Sequence, residues 1–146
     1  MTAKVFLSQI RKYDILIANK TETLARLRSQ AVSITVNTDK LNVQTTARHD
    51  RLEETIIKIM DLESRILKDI ETVTELKKDV TDVIDKLEEA DEINLLYKRY
   101  VFHKDWTVIA DEMNYSEQHI LRLHGKALFE VQNVLNSLKD LKDESK

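Results

Sequence analysis

The chain has 146 residues, 42% of them apolar and 34% charged, and a formal net charge of −3. With one Gly, no Pro and no Cys, it excludes a glycine-rich phosphate loop, a flexible Pro/Gly linker, a disulfide framework and a thiol nucleophile. No apolar run approaches the roughly 18 residues a membrane helix needs, and charge returns by Arg11 in the opening MTAKVFLSQIRKYD before a secretory core can form. The expectation is a cytoplasmic protein with no membrane partner.

Helical periodicity begins at once. Phe6, Ile10, Tyr13, Ile17, Leu24, Leu27 and Ala31 follow steps of four, three and one of seven, a heptad-like stripe. Arg11, Lys12, Lys20, Glu22, Arg26 and Arg28 occupy the wet side. A first helix is predicted from about Thr2 to the low thirties. The stretch VSITVNTDKLNVQTTAR, residues 32–48, is rich in weaker helix formers. It is predicted to reverse the chain, with Thr45 and Thr46 in the loop and Asp50 capping the next helix.

The second long helix carries Leu52, Ile56, Ile59, Ile66, Ile70, Val73, Val80, Ile84 and Leu87 in the same rhythm. Leu62 and Leu76 stand beside the interrupting Glu63 and Lys77. So apolar a stripe is not stable exposed. The first helix folded back on it would cover it, as would a second copy of the chain; both together give a four-helix assembly. Ile56, Ile59, Ile66, Ile70 and Val73 are the candidate oligomerisation residues.

Ala90, Asp91 and Glu92 mark a joint, with Asp91 capping a helix through Ile93, Leu96, Tyr97, Tyr100 and Val101. Trp106 reads as core of the small domain rather than a stacking platform. Asp105 suits the N-cap of a short helix whose apolar side holds Ile109, Ala110 and Met113. Asn114 falls at a tight turn, where it tolerates φ > 0 better than most residues. Ser116 is a good N-cap for a helix with Ile120, Leu123, Ala127, Leu128 and Val131 on one face. Glu117, Gln118, His119 and Arg122 remain outside. Gly125 inside this helix implies either a close backbone or a bend, and LKDLKDESK reads as a charged, fraying tail.

Small residue, turn, cap and amphipathic helix together make a helix-turn-helix. Such a unit presents the first residues of its second helix to base edges, where Gln reads adenine and Arg guanine. The plainer alternative is a helical pair that only packs.

LLYKRYVFHKDWTVIADEMNYSEQHILRLHGKAL resembles the promoter-reading region 4 of bacterial sigma factors. The chain is still more similar to small sigma-like regulators of phages and prophages of Gram-positive bacteria, akin to the ArpU-type late transcriptional regulators. AKVFLSQIRKYD, LARLRSQAVSIT and DRLEETIIKIMDLESRI resemble the long N-terminal segment of that family. The resemblance implies that Ser116, Gln118, His119 and Arg122 face DNA and that Lys126 faces a phosphate. It also implies RNA polymerase as a partner. Glu117, Leu121 and His124 depart from the resemblance, standing where sigma factors often carry Arg or other polar readers.

From residue 94 to 130 there are five Lys/Arg and five Asp/Glu. A neutral motif draws little affinity from phosphates alone, which favours binding by an oligomer or beside a partner already on DNA. Enzymatic readings find no motif: the four His show no metal-ligand spacing with a carboxylate partner, and no Ser/His/acid pattern is evident. The sequence therefore predicts an all-α protein in three parts. Residues 1–90 form a long antiparallel, coiled-coil-like helical hairpin; 91–138 form a sigma region 4-like helix-turn-helix domain; 139–146 form the tail. The expected function is regulation of transcription through double-stranded DNA, as a homo-oligomer, without cofactor or metal. The alternative is a non-enzymatic coiled-coil module that binds a host protein.

Overall fold

The computed structural model describes residues 1–36 and 45–145. Every regular element among them is helical, as the three-and-four spacing required. The helices are α1 (Ala3–Val36), α2 (Thr45–Ile84), α3 (Ala90–Leu96), a single π turn (Tyr97–Val101), α4 (Trp106–Met113) and α5 (Glu117–Glu144). Among the described residues no helix is long and apolar enough to cross a membrane.

Several local expectations shift. Thr45 and Thr46 lie within α2, so helix is already under way before Asp50, which sits inside it. The rest of the expected reversal, residues 37–44, lies outside the described residues. Glu89, not Asp91, is the N-cap of α3, and it offers no side-chain cap; Asp91 instead places its charge in the first turn. The final residues continue α5 helically through Glu144, because Leu, Lys, Asp and Glu without Pro or Gly give the helix no reason to stop.

The chain divides into two compact units, Met1–Lys12 with Val73–Lys146, and Tyr13–Thr72. The first unit holds the main core. Ala3, Leu7 and Ile10 from α1 are buried, as are Val80, Val83 and Ile84 from α2, Leu95 and Leu96 from α3, Ile109 and Ala110 from α4, and Ile120, Ala127 and Val131 from α5. The Ala3 backbone N–H donates to Gln132 Oε1 at 2.9 Å, tying the start of α1 to α5.

The second unit is thinner. Lys20 pairs with Asp69 and Arg28 with Glu63, so ascending positions on α1 meet descending positions on α2. Leu24 is the one described apolar side chain of this unit that is buried, while Ile56, Ile57, Met60, Leu67 and Ile70 on α2 are exposed. Two helices alone have too little mutual surface to enclose a core of the kind the first unit has.

Candidate nucleic-acid interface

The segment α4–α5 is built by local chemistry. Asp105 stands at the N-cap of α4 with extended backbone, but its side chain makes no capping hydrogen bond; its carbonyl accepts from Ile109 N–H at 3.0 Å. At the other end Asn114 is left-handed, with φ 59° and ψ 39°. The Tyr115 N–H donates to Ala110 O at 3.0 Å and the Asn114 N–H to Asp111 O at 3.3 Å. This is the paired closure of a Schellman motif with Asn in the position Gly usually takes. Two residues on, the Ser116 hydroxyl accepts from His119 N–H at 3.1 Å and starts α5.

Tyr115 braces the turn. Its hydroxyl donates to Asp91, which pushes the phenol pKa up, and its ring lies 4.4 Å from the His119 ring. The carboxylate on α3 thus anchors the loop between α4 and α5. Ile109, Ala110, Ile120 and Ala127 are fully or nearly fully buried behind it.

Of the residues expected to face DNA, Gln118, His119 and Arg122 are exposed together on the first turns of α5, beyond the Ser116 cap. Ser116 is exposed as well, its hydroxyl committed to the cap. Lys126 is exposed but sits in an acidic setting: Glu92 and Glu130 share its neighbourhood. Burial first, then Glu130, raises the Glu92 carboxyl, and Lys126 opposes the rise. Leu121, 53% exposed, and Phe129, 66% exposed, share the outer side of α5. Helical spacing alone does not single out these two as an apolar surface.

The cations of this stretch are mostly engaged. Lys98 and Lys104 donate to Glu112 at 2.6 and 2.7 Å, and these hydrogen bonds, that of Lys104 first, hold its carboxyl below the usual range. Arg99 lies 4.4 Å over the Trp106 ring and donates to Lys104 O at 3.0 Å. Arg122 and Lys126 make no such hydrogen bond or ring contact among the described residues, and Lys126 lies beside Glu92 and Glu130. Trp106 is half-buried, its ring edge 4.6 Å from His124.

The candidate oligomerisation residues separate. Val73 is buried within the first unit, Ile59 and Ile66 are half-buried, and Ile56 and Ile70 are exposed at 44% and 42%. His49, Asp50 and Glu53, which helical periodicity does not bring forward as a group, have ligand atoms within 4.8 Å of one another on α2. All three are exposed neighbours on one helix, an arrangement that solvated faces form routinely. Gly125 has open space where a Cβ would stand, so no close backbone among the described residues accounts for it.

Comparison with models of protein families, with curated proteins and with solved structures found no match to this chain.

Proposed function

We propose that the chain is a phage-type, DNA-binding transcriptional regulator that reads a promoter or operator through a helix-turn-helix made of α4, the Asn114 turn and α5. The observation that carries the reading is the capped start of α5. Ser116 fixes the helix end, Ile120 anchors its inner side, and Gln118, His119 and Arg122 stand outward together. These are residue types that hydrogen-bond base edges from a recognition helix.

The charge pattern bears on how it binds. With Lys98, Lys104 and Arg99 engaged inside the protein, one copy offers few cations to phosphates, and solitary affinity is low. This favours a homo-oligomer, with α1 and α2 as a long antiparallel hairpin supplying its interface and RNA polymerase as the partner on DNA. The exposed α2 side chains Ile56, Met60 and Leu67 support that arrangement. They also support a second reading, in which the hairpin docks on a host protein and the helix-turn-helix only packs.

The test is a low-salt selection of genomic fragments with the full chain, against the variant Gln118→Ala, His119→Ala, Arg122→Ala. One enriched site, lost in the variant and weakened steeply by salt, is expected. Equal binding by the variant would overturn the recognition-helix assignment. Enrichment of no site, with capture of a host protein through the α2 stripe, would favour the docking module.

A further inference from the structure

A cavity of about 150 Å³ opens within the first unit, walled by α1, the π turn, α4 and α5. Lys4, Arg11, Arg99 and His103 line it, with Trp106 and His124 alongside. No carboxylate lines it, although Asp and Glu outnumber Lys and Arg by 26 to 23 in the chain. We propose that this cavity binds a small phosphoryl-bearing anion, with Lys4 and Arg11 closing on it from α1 and Arg99 from the π turn.

Three further observations support this. The cavity is a built feature of the backbone: Tyr97–Val101 form a π turn, and His103 just beyond it is left-handed at φ 57°. Single π turns inside helical segments recur at functional sites, and a non-Gly residue at positive φ is uncommon. The wall also keeps its charge. Arg99 is held in place by Trp106 and by Lys104 O, which leaves its positive field in the cavity uncancelled by an acid. Lys4 and Arg11 are exposed and make no ion pair among the described residues. Finally, Tyr100 Oη and His124 Nε2 meet at 2.6 Å and supply polar groups beside the cations. Burial, then Lys4, then Arg99 push His124 down to about 4, so the two neighbouring cations act in the same direction as burial. The size suits one tetrahedral anion and not a duplex, so the occupant is a free phosphate or a small phosphate monoester. Arg and Lys together supply the fork and the point charge that such a group takes.

The inference stands apart from the DNA reading. Trp106 is the chain's single tryptophan and lines the cavity, so its fluorescence reports occupancy directly. Titration of the full chain with inorganic phosphate is expected to give a saturable change that chloride at equal ionic strength does not. The variant Lys4→Gln, Arg11→Gln is expected to weaken the apparent affinity by at least about tenfold, since removing one charge-assisted hydrogen bond to the anion costs roughly that factor or more. The charge-keeping Lys4→Arg, Arg11→Lys variant should retain binding, and both should unfold at the parent's temperature. Phosphate and chloride giving the same unsaturable change would overturn the proposal, as would undiminished phosphate binding by the neutralised variant. A short duplex that shifts Trp106 fluorescence and is displaced by phosphate would give the cavity to a nucleic-acid backbone instead. The Gln118, His119 and Arg122 triple variant should bind phosphate like the parent, which separates this result from the fate of the DNA reading.

Discussion

Three residues carry separable energetic consequences. Asn114 occupies a left-handed position that costs an ordinary L-residue about 1 kcal/mol or more and Gly almost nothing. Asn114→Ala should therefore destabilise by about 1 kcal/mol, while Asn114→Gly should leave the urea midpoint unchanged or raise it. Gly125 is the opposite case: it is helical, and a Cβ there meets nothing within 4 Å. Gly125→Ala should stabilise by about 1 kcal/mol in the same assay. A loss of stability would mean that something other than the described residues occupies that open space. His124 makes stability depend on pH. Lys4 from α1 and Arg99 from the π turn act on it, Tyr100 hydrogen-bonds it, and Arg11 and His103 line the same cavity. Its pKa is near 4 in the folded chain, against about 6.5 when unfolded. The unfolded chain therefore takes the proton first. The His124 contribution is intact above about pH 6.5 and is lost as pH falls toward about 4. The ring is only partly buried, so solvent screening leaves a loss on the order of 1–2 kcal/mol. His124→Gln should flatten this part of the stability–pH curve, and a parallel curve for the variant would assign the slope to other groups.

At the scale of elements, what could be read in advance depended on whether local chemistry decides the outcome. The turn before α5 could be read because Asn and Ser have backbone roles of their own: Asn114 takes φ > 0, and Ser116 accepts from His119 N–H. Ser116→Ala should cost about 1 kcal/mol of stability for that reason, and denaturant titration at neutral pH reads it. The long helices were legible from their spacing, but the choice between adjacent apolar residues was not. Spacing puts Phe6 on the α1 stripe, yet Leu7 is fully buried and Phe6 half-buried; Leu7 lies with Tyr100, Trp106 and His124, a tertiary grouping that spacing along α1 does not encode. The π turn has no residue signature, since it changes which carbonyl an N–H finds and not which side chains are apolar. Nor could the cavity be seen in the sequence. Lys4 and Arg11 are about ninety residues from Arg99 and His103, and only tertiary packing gathers them. For the same reason the expected phosphate contact at Lys126 could not be weighed against Glu92 and Glu130, which share its pocket.

At the scale of the whole molecule, the uneven burial of apolar side chains decides the last prediction. In the Tyr13–Thr72 unit Leu24 is buried, while Met60 and Leu67 remain 64% and 62% exposed. Met60 and Leu67 are seven residues apart, so they share one face of α2, with Ile56 and Ile70 at four and three residues beyond them. Burying a leucine of this kind is worth about 1.5–3 kcal/mol, and a two-fold interface would bury it twice. Leu67→Asp in the full chain should therefore weaken self-association by tenfold or more on the same scale. Helical content should not fall, because an exposed position is changed. Sedimentation equilibrium across a concentration series reads the first quantity and circular dichroism the second. A parent that stays monomeric throughout would leave the stripe to a partner of a different sequence. A parent that associates, with Leu67→Asp associating equally well, would place the interface elsewhere on the chain. On the proposed DNA-binding function, weaker association should weaken site-specific binding at low protein concentration and leave it to recover at high concentration, because a single copy brings few cations to the phosphates.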